Sequence, residues 1–306
     1  NVKLGMFKPD VEPVYYYKLT KEQVEQTDRL AKIIKDNFIE NYADYFCFYN
    51  DDKKEEIISK TTSDFEKIVY SYSMPYGDTF MEDDVVEEGL LKQLQDMGVN
   101  GLWMQGVLAK LSPYPIVKDQ ENGYEKRREI VHKIIKKCKK YGIGVYLYFN
   151  EPRGIANDQL TEQTEKIKGR FFEERWSLCT TTEPVKEYLY NAVKDLVLAV
   201  PELAGIITIT MSENMTNCHS RRNNTCKFCS HLKPQDVVPE VNNIMSRAVK
   251  DAGVKTKVLA NLWGWTEGYG WSKEAVLEGI EKMDKDIEIM SVSEVGTIIN
   301  KDRKEH

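Results

Sequence analysis

An α/β architecture, a TIM-type (β/α)8 barrel short of one strand in this chain, follows from three features of the sequence. Short apolar runs of strand length alternate with segments of helical period. The runs end repeatedly in polar and aromatic clusters: Tyr70–Asp78, Trp103–Gln105, Tyr148–Arg153, Thr210–Asn217, Trp263–Glu267 and Ser291–Glu294. In barrels the loops after the strands build one reactive face, so polar residues gathered there bear on function as well as fold. At 306 residues, 41% of them hydrophobic, the chain suits one barrel-sized domain better than a string of small ones.

Residues 1–66 read as an N-terminal helical segment. Thr20–Phe38 carries a helical apolar spacing (Val24, Leu30, Ile33, Ile34, Phe38), followed by the aromatic run Tyr42–Tyr49. The barrel is expected over 67–306. Lys67–Ser73 reads as a strand, and Asp84–Met97 as a helix with Val85, Leu90, Leu91, Leu94 and Met97 inward. Strand Gly101–Val107, the basic helix Tyr124–Tyr141 and strand Gly144–Phe149 follow. Next come a short strand around Trp176–Cys179, helix Glu183–Val200 with Pro184 in its first turn, and strand Leu203–Thr210. After a long cysteine-bearing loop, helix Gln235–Ala252, strand Lys257–Leu262, helix Ser272–Met283 and strand Ile287–Val292 complete the series. Strands joined by helical crossovers pair in parallel. Counting from Lys67 gives seven strands, one fewer than closure requires. Either Pro13–Tyr17 or Tyr45–Tyr49 supplies the eighth, or the barrel continues beyond His306; the polar ending Asn300–His306 favours the second.

A net charge of −6 gives no basic footprint for a nucleic-acid backbone. Apolar stretches such as Leu203–Ile209 are too short to span a bilayer, so a soluble protein is expected, with cytoplasm and export both open. No phosphate-cradling Gly-rich loop or Ser elbow is present, which lowers nucleotide and acyl-transfer readings. Oligomeric state is not readable.

Three strand ends carry a Glu: Glu151 in Asn150-Glu151-Pro152-Arg153, Glu213 in Ser212-Glu213-Asn214, and Glu294 after Ser293. Glycoside hydrolysis commonly needs two carboxyl groups, one protonating the leaving oxygen and one attacking C1 or activating water. Glu213, set among Ser212, Asn214, Thr216 and Asn217, suits the general acid, against a loop carboxylate or helix cap as the plain alternative. Glu294 suits the nucleophile or base, against a solvated residue near the chain end. Arg153 beside Glu151 tends to hold that carboxylate ionised, which fits binding or a salt bridge better than proton donation. Around these, Tyr72, Tyr76, Asp78, Trp103, Gln105, Asn150, Arg153, Asn214, Asn217, Trp263 and Trp265 are the candidate sugar-binding residues, since flat rings with polar handles suit pyranose faces. All five tryptophans, Trp176 and Trp271 included, fall at expected strand ends, and at least two are expected to line the cleft.

Cys218-x7-Cys226-x2-Cys229, with Cys179 as a fourth thiolate, could hold a structural zinc, and His219 and His231 stand near. Reduced packing thiols or a loop disulfide are the alternatives. Cys47 and Cys138 read as ordinary core or helix residues. No cofactor is required for catalysis in this reading. His219 could also reach a substrate from the Glu213 loop.

With these residues in hand, the chain resembles a bacterial family of barrel proteins related to glycoside hydrolases. The resemblance runs from about Asp51 onward, on Tyr70-Ser-Tyr-Ser-Met-Pro-Tyr76-Gly77-Asp78, Gly98-Val-Asn-Gly-Leu-Trp103, Tyr146-Leu-Tyr-Phe-Asn150-Glu151-Pro152-Arg153, Ser212-Glu213-Asn214-Met-Thr-Asn217-Cys218 and Cys226-Lys-Phe-Cys229. It implies a member longer than this chain and a distant similarity to barrels that remove N-acetylhexosamine, where a strand-end Glu is the acid and the substrate acetamido group can attack. Those enzymes carry Asp before the acid; here Ser212 stands in that place, so acetamido assistance and a direct Glu213/Glu294 pair both remain open. The expectation is a glycoside hydrolase. Its rivals are a non-catalytic carbohydrate-binding barrel or part of a longer enzyme, and last a zinc-dependent hydrolase.

Overall fold

A computed structural model describes residues 66–70, 86–114, 116, 123–212 and 214–291. Six strands, β1 (Ile68–Tyr70), β2 (Gly101–Gln105), β3 (Gly144–Phe149), β7 (Gly205–Ile209), β8 (Lys257–Asn261) and β9 (Ile287–Met290), form one sheet in the order β1-β2-β3-β7-β8-β9. Every pairing is parallel, with Leu102 opposite Val145, Tyr148 opposite Ile207 and Ile207 opposite Leu259. The sheet curls as part of a (β/α) barrel.

Helices fill the crossovers: α1 (Glu88–Asp96), α2 (Leu108–Leu111) and α3 (Tyr124–Lys140) precede β3. Between β3 and β7 lie α4 (Glu162–Glu165) and α5 (Glu183–Ala199); α6 (Pro234–Ala252) and α7 (Lys273–Glu281) flank β8. Prolines open α5 and α6 where no amide hydrogen is needed, and the Ser272 hydroxyl caps α7 by accepting from Ala275 N at 3.2 Å. Gly253, at φ +68°, ends α6 in the left-handed conformation.

One expected strand lies elsewhere. β6 (Arg175–Leu178) does not join the barrel; it pairs antiparallel between β4 (Ile155–Ala156) and β5 (Lys168–Phe172). A short apolar run reads alike in a parallel core strand and in a hairpin, which is why the count of seven was one too high for the described barrel strands. The apolar face of α1 also differs: Val86, Leu91 and Leu94 are buried, whereas Leu90 and Met97 are exposed.

Strand alternation sorts the core. Leu102, Met104, Val145, Leu147, Phe149, Ile206, Val258 and Ala260 face the helices and meet Ile130, Ile134, Leu189, Val193, Val241 and Met245. Each such fully buried aliphatic chain contributes on the order of 2 kcal/mol. Their neighbours along the strands face the other way: Tyr146, Ile207 and Leu259 pack with Ile68, Trp103, Tyr148 and Met290. The Tyr146 ring lies across Gly101 and Gly205, where a Cβ would stand 2.9 and 2.5 Å from it. Bulk from β3 thus fills what β2 and β7 leave open.

Candidate active site at the strand carboxyl ends

Above that floor the inner face becomes aromatic, then polar. Trp103 meets Tyr70 edge-on at 5.3 Å between ring centroids and Tyr148 at 5.5 Å. The buried Trp103 indole N–H has no acceptor among the described residues. Gln105 stands opposite Tyr148 in the β2–β3 register. Asn150, buried just past β3, donates from Nδ2 to the Tyr148 hydroxyl and accepts from the Ser212 hydroxyl at 3.2 Å. Ser212 follows β7 and immediately precedes Glu213 in sequence. The Ser212–Asn150 bond therefore joins the ends of two adjacent barrel strands beside the Trp103/Tyr148 pair.

Ser212 is held from three directions. Its hydroxyl also accepts from Asn214 N at 3.1 Å, and its carbonyl accepts from Arg221 Nη1 at 2.6 Å. Arg221 further donates to Ser220 O at 2.8 Å and spans the rings of Phe172 and Tyr269. Nothing in the sequence singled out Arg221, because its partners are carbonyls and rings brought together only by the fold.

Glu151 is 2% exposed, and both its oxygens are engaged. Oε1 accepts from Leu108 N at 2.9 Å and Oε2 from Arg153 N at 3.1 Å, with Arg153 Nε 3.9 Å from Oε1. Burial pushes the carboxyl above its ordinary value, opposed by the Arg153 charge and the two amide donors. The carboxylate thus ties the turn after β2 to the loop after β3. It forms part of the wall of a cavity of about 250 Å³ with Val107, Lys110, Arg153, Arg175 and Tyr188. Burial raises the Tyr188 hydroxyl well above its ordinary value.

The loops after β7 and β8 are built on Thr210. Its carbonyl accepts from the Thr216 hydroxyl at 2.6 Å and from Asn217 Nδ2, and its hydroxyl accepts from Trp265 Nε1 at 3.2 Å. Asn217 and Trp265, expected to bind sugar, are both buried: Asn217 organises its loop, and Trp265 stacks on Trp271 at 4.4 Å. A polar or aromatic residue just past a strand can face the cleft or turn under the loop, and spacing alone does not separate the two. Trp263 is 49% exposed, and Asn214 is exposed. Trp176 belongs to the small antiparallel sheet, where Phe171 packs on it at 4.8 Å. His219 is buried and bonded to Asn224 at 3.1 Å. Tyr72, Tyr76, Asp78, Glu213 and Glu294 lie outside the described residues, as do Cys47 and residues 1–65.

Gly264 lies tight against the loop after β7: a Cβ there would lie 2.2 Å from the Met211 carbonyl oxygen. Backbone cannot rotate away as a side chain can. Gly264→Ala is expected to cost about 2–3 kcal/mol, read as a lowered urea midpoint, because the Ser212 and Trp263 loops must separate.

Cys179, Cys218, Cys226 and Cys229 are brought together as the sequence spacing suggested, all buried, with every sulfur within 4.8 Å of the others. Cys138 sits in the core on α3.

No protein-family model and no curated protein matches this chain. The solved structures similar to it include a GH138 enzyme targeting pectin rhamnogalacturonan II, at 14% identity and a TM-score of 0.42 over 78% of this chain. A glycoside hydrolase family 5 enzyme from Prevotella bryantii B14 aligns at 10% identity and 0.45 over 78%. The pneumococcal virulence factor StrH aligns at 11% and 0.43 over 66%. The chain spans 25%, 66% and 54% of those three chains respectively. Among the described residues, no helix is long and apolar enough to cross a membrane.

Proposed function

We propose that the chain is a glycoside hydrolase domain acting on a glycan or oligosaccharide at the strand carboxyl ends. The observation that carries this reading is the Ser212–Asn150 bond, which sets the residue before Glu213 beside the Trp103/Tyr148 aromatic layer. Amide and hydroxyl groups backed by aromatic rings suit a ligand with alternating hydroxyls and apolar ring faces. Glu213 is the general acid in this reading, and Glu294 or a substrate acetamido group completes the displacement. Trp103 supplies an aromatic ring beside Tyr148, and Trp263 a half-exposed ring. Tyr72, Tyr76, Asp78 and Gln105 are assigned to the same sugar. Glu151 is a positioning residue that acts through Arg153 and the Leu108 turn, since both its oxygens already accept amide hydrogens.

The test is hydrolysis of a panel of aryl glycosides, N-acetylhexosaminides included, by the wild type and Glu213→Gln. The wild type is expected to release aglycone from at least one member, and the variant to lose on the order of 10²–10⁴-fold with its fold unchanged. Equal rates in the two proteins would remove Glu213 from the chemistry. Silence across the panel combined with retention on immobilised glycan would make this a sugar-binding barrel.

A further inference from the structure

Four cysteines from two segments converge on one point. Cys179 follows β6, while Cys218, Cys226 and Cys229 lie in the loop between β7 and α6. All four are free thiols, buried, with their sulfurs within 4.8 Å of one another. A tetrahedral zinc tetrathiolate with bonds of about 2.3 Å separates its sulfurs by about 3.8 Å. Disulfide pairing would exclude that arrangement, and a multi-iron cluster would hold the sulfurs farther apart.

The surroundings match what thiolates need. Each sulfur has its own polar partner. Ser177 Oγ stands 3.2 Å from Cys218 and Thr181 Oγ1 3.1 Å from Cys179. Asn224 Nδ2 donates to Cys229 at 3.3 Å, and Phe228 N to Cys226 at 3.4 Å. Neutral packing thiols behave as small apolar groups and need no such set, whereas metal-bound sulfur is tuned by donors of this kind. Arg170, from β5, donates to the carbonyls of Arg221 and Arg222 at 2.9 and 2.7 Å, which draws the loop carrying Cys218 against β5. Gly169 allows this approach: a Cβ there would lie 2.2 Å from the Cys218 sulfur. Phe228 and Leu232 cover the cluster with apolar surface.

We propose that these four cysteines bind one zinc ion in a closed structural site that ties the loop after β7 to the β5–β6 hairpin. Binding releases four thiol protons and leaves a complex of charge −2, with no change of oxidation state. Four protein sulfurs fill the coordination shell, so the metal has no open position and takes no part in bond cleavage. Its effect on the candidate active site is indirect: the clamped loop also carries Arg221, which holds the Ser212 carbonyl. The proposal stands independently of the glycosidase reading.

The purified full chain is expected to carry about one zinc by elemental analysis, to release it to pyridylazoresorcinol when a mercurial blocks the thiols, and to show thiolate-to-cobalt charge transfer after cobalt exchange. Stripping the metal is expected to lower the melting temperature by on the order of 10 °C. Cys226→Ser should lose zinc to chelator at least tenfold faster, and Gly169→Ala, which keeps every thiol, should also retain it less well. His231→Ala, at an exposed side chain, should keep it. If Cys226→Ser does not fold, wild-type metal content and the cobalt spectrum decide. A folded wild type without metal, stoichiometric iron, or loss of zinc in His231→Ala would each overturn the site.

Discussion

Glu151→Ala is expected to destabilise the protein by about 3–5 kcal/mol, through loss of hydrogen bonding more than of volume. The carboxylate satisfies the amide hydrogens of Leu108 and Arg153, and Leu108 is fully buried. Each buried donor left without an acceptor costs about 1–3 kcal/mol, and Arg153 loses its carboxylate neighbour as well. Glu151→Gln keeps the size and one acceptor, so its cost should be about half. Urea denaturation of both variants checks the ranking. A wild-type midpoint in Glu151→Ala would mean that the loops after β2 and β3 do not depend on the carboxylate.

The pH dependence of that comparison separates burial from the ion pair. Burial raises the folded-state pKa of Glu151 above the ordinary value of 4.5. A group raised on folding contributes stability that is fully present below the unfolded pKa and is lost as pH rises through the folded one. The advantage of wild type over Glu151→Gln should therefore shrink as pH climbs from about 4.5. An advantage that grew over the same interval would show that Arg153, 3.9 Å away, and the two amides outweigh desolvation.

The barrel was legible because its signals are local and repeated. Val145, Leu147 and Phe149 all face the helices, and α3, α5 and α6 start and stop within one or two residues of their expected ends. The failure at Trp176 was of another kind. β6 has strand character, but its partners are β4 and β5, and pairing is a long-range choice that composition does not encode. At the candidate site the residue types were readable and their orientations were not. Asn150 and Ser212 meet each other, whereas Asn217 turns beneath its own loop to hold Thr210. The thiol cluster was the most readable part, because a Cys-x2-Cys turn brings its two sulfurs together locally and only Cys179 had to come from afar.

Trp265→Ala should be the more damaging of two tryptophan substitutions two residues apart. Trp265 is 4% exposed, stacks on Trp271, and donates to Thr210, while the Gly279 backbone of α7 fits against its ring, a Cβ there falling 2.8 Å from Cζ3. Removing a buried indole costs about 3–5 kcal/mol before the Thr210 hydroxyl loses its donor. Because Thr210 also holds Thr216 and Asn217, the loop that carries Ser212 loosens with it. Trp263→Ala removes a half-exposed ring and should shift stability by no more than about 0.5 kcal/mol. Its effect is expected on glycan affinity, since a stacking platform at a wet site acts when a ligand covers it. Denaturation midpoints and glycan affinity of the two variants should therefore move in opposite patterns: stability for Trp265, binding for Trp263. A stable Trp265→Ala protein would show that α7 and the loop after β7 are held by other contacts. Unchanged affinity in Trp263→Ala would place the sugar away from β8, toward the Trp103 and Asn150 side of the barrel.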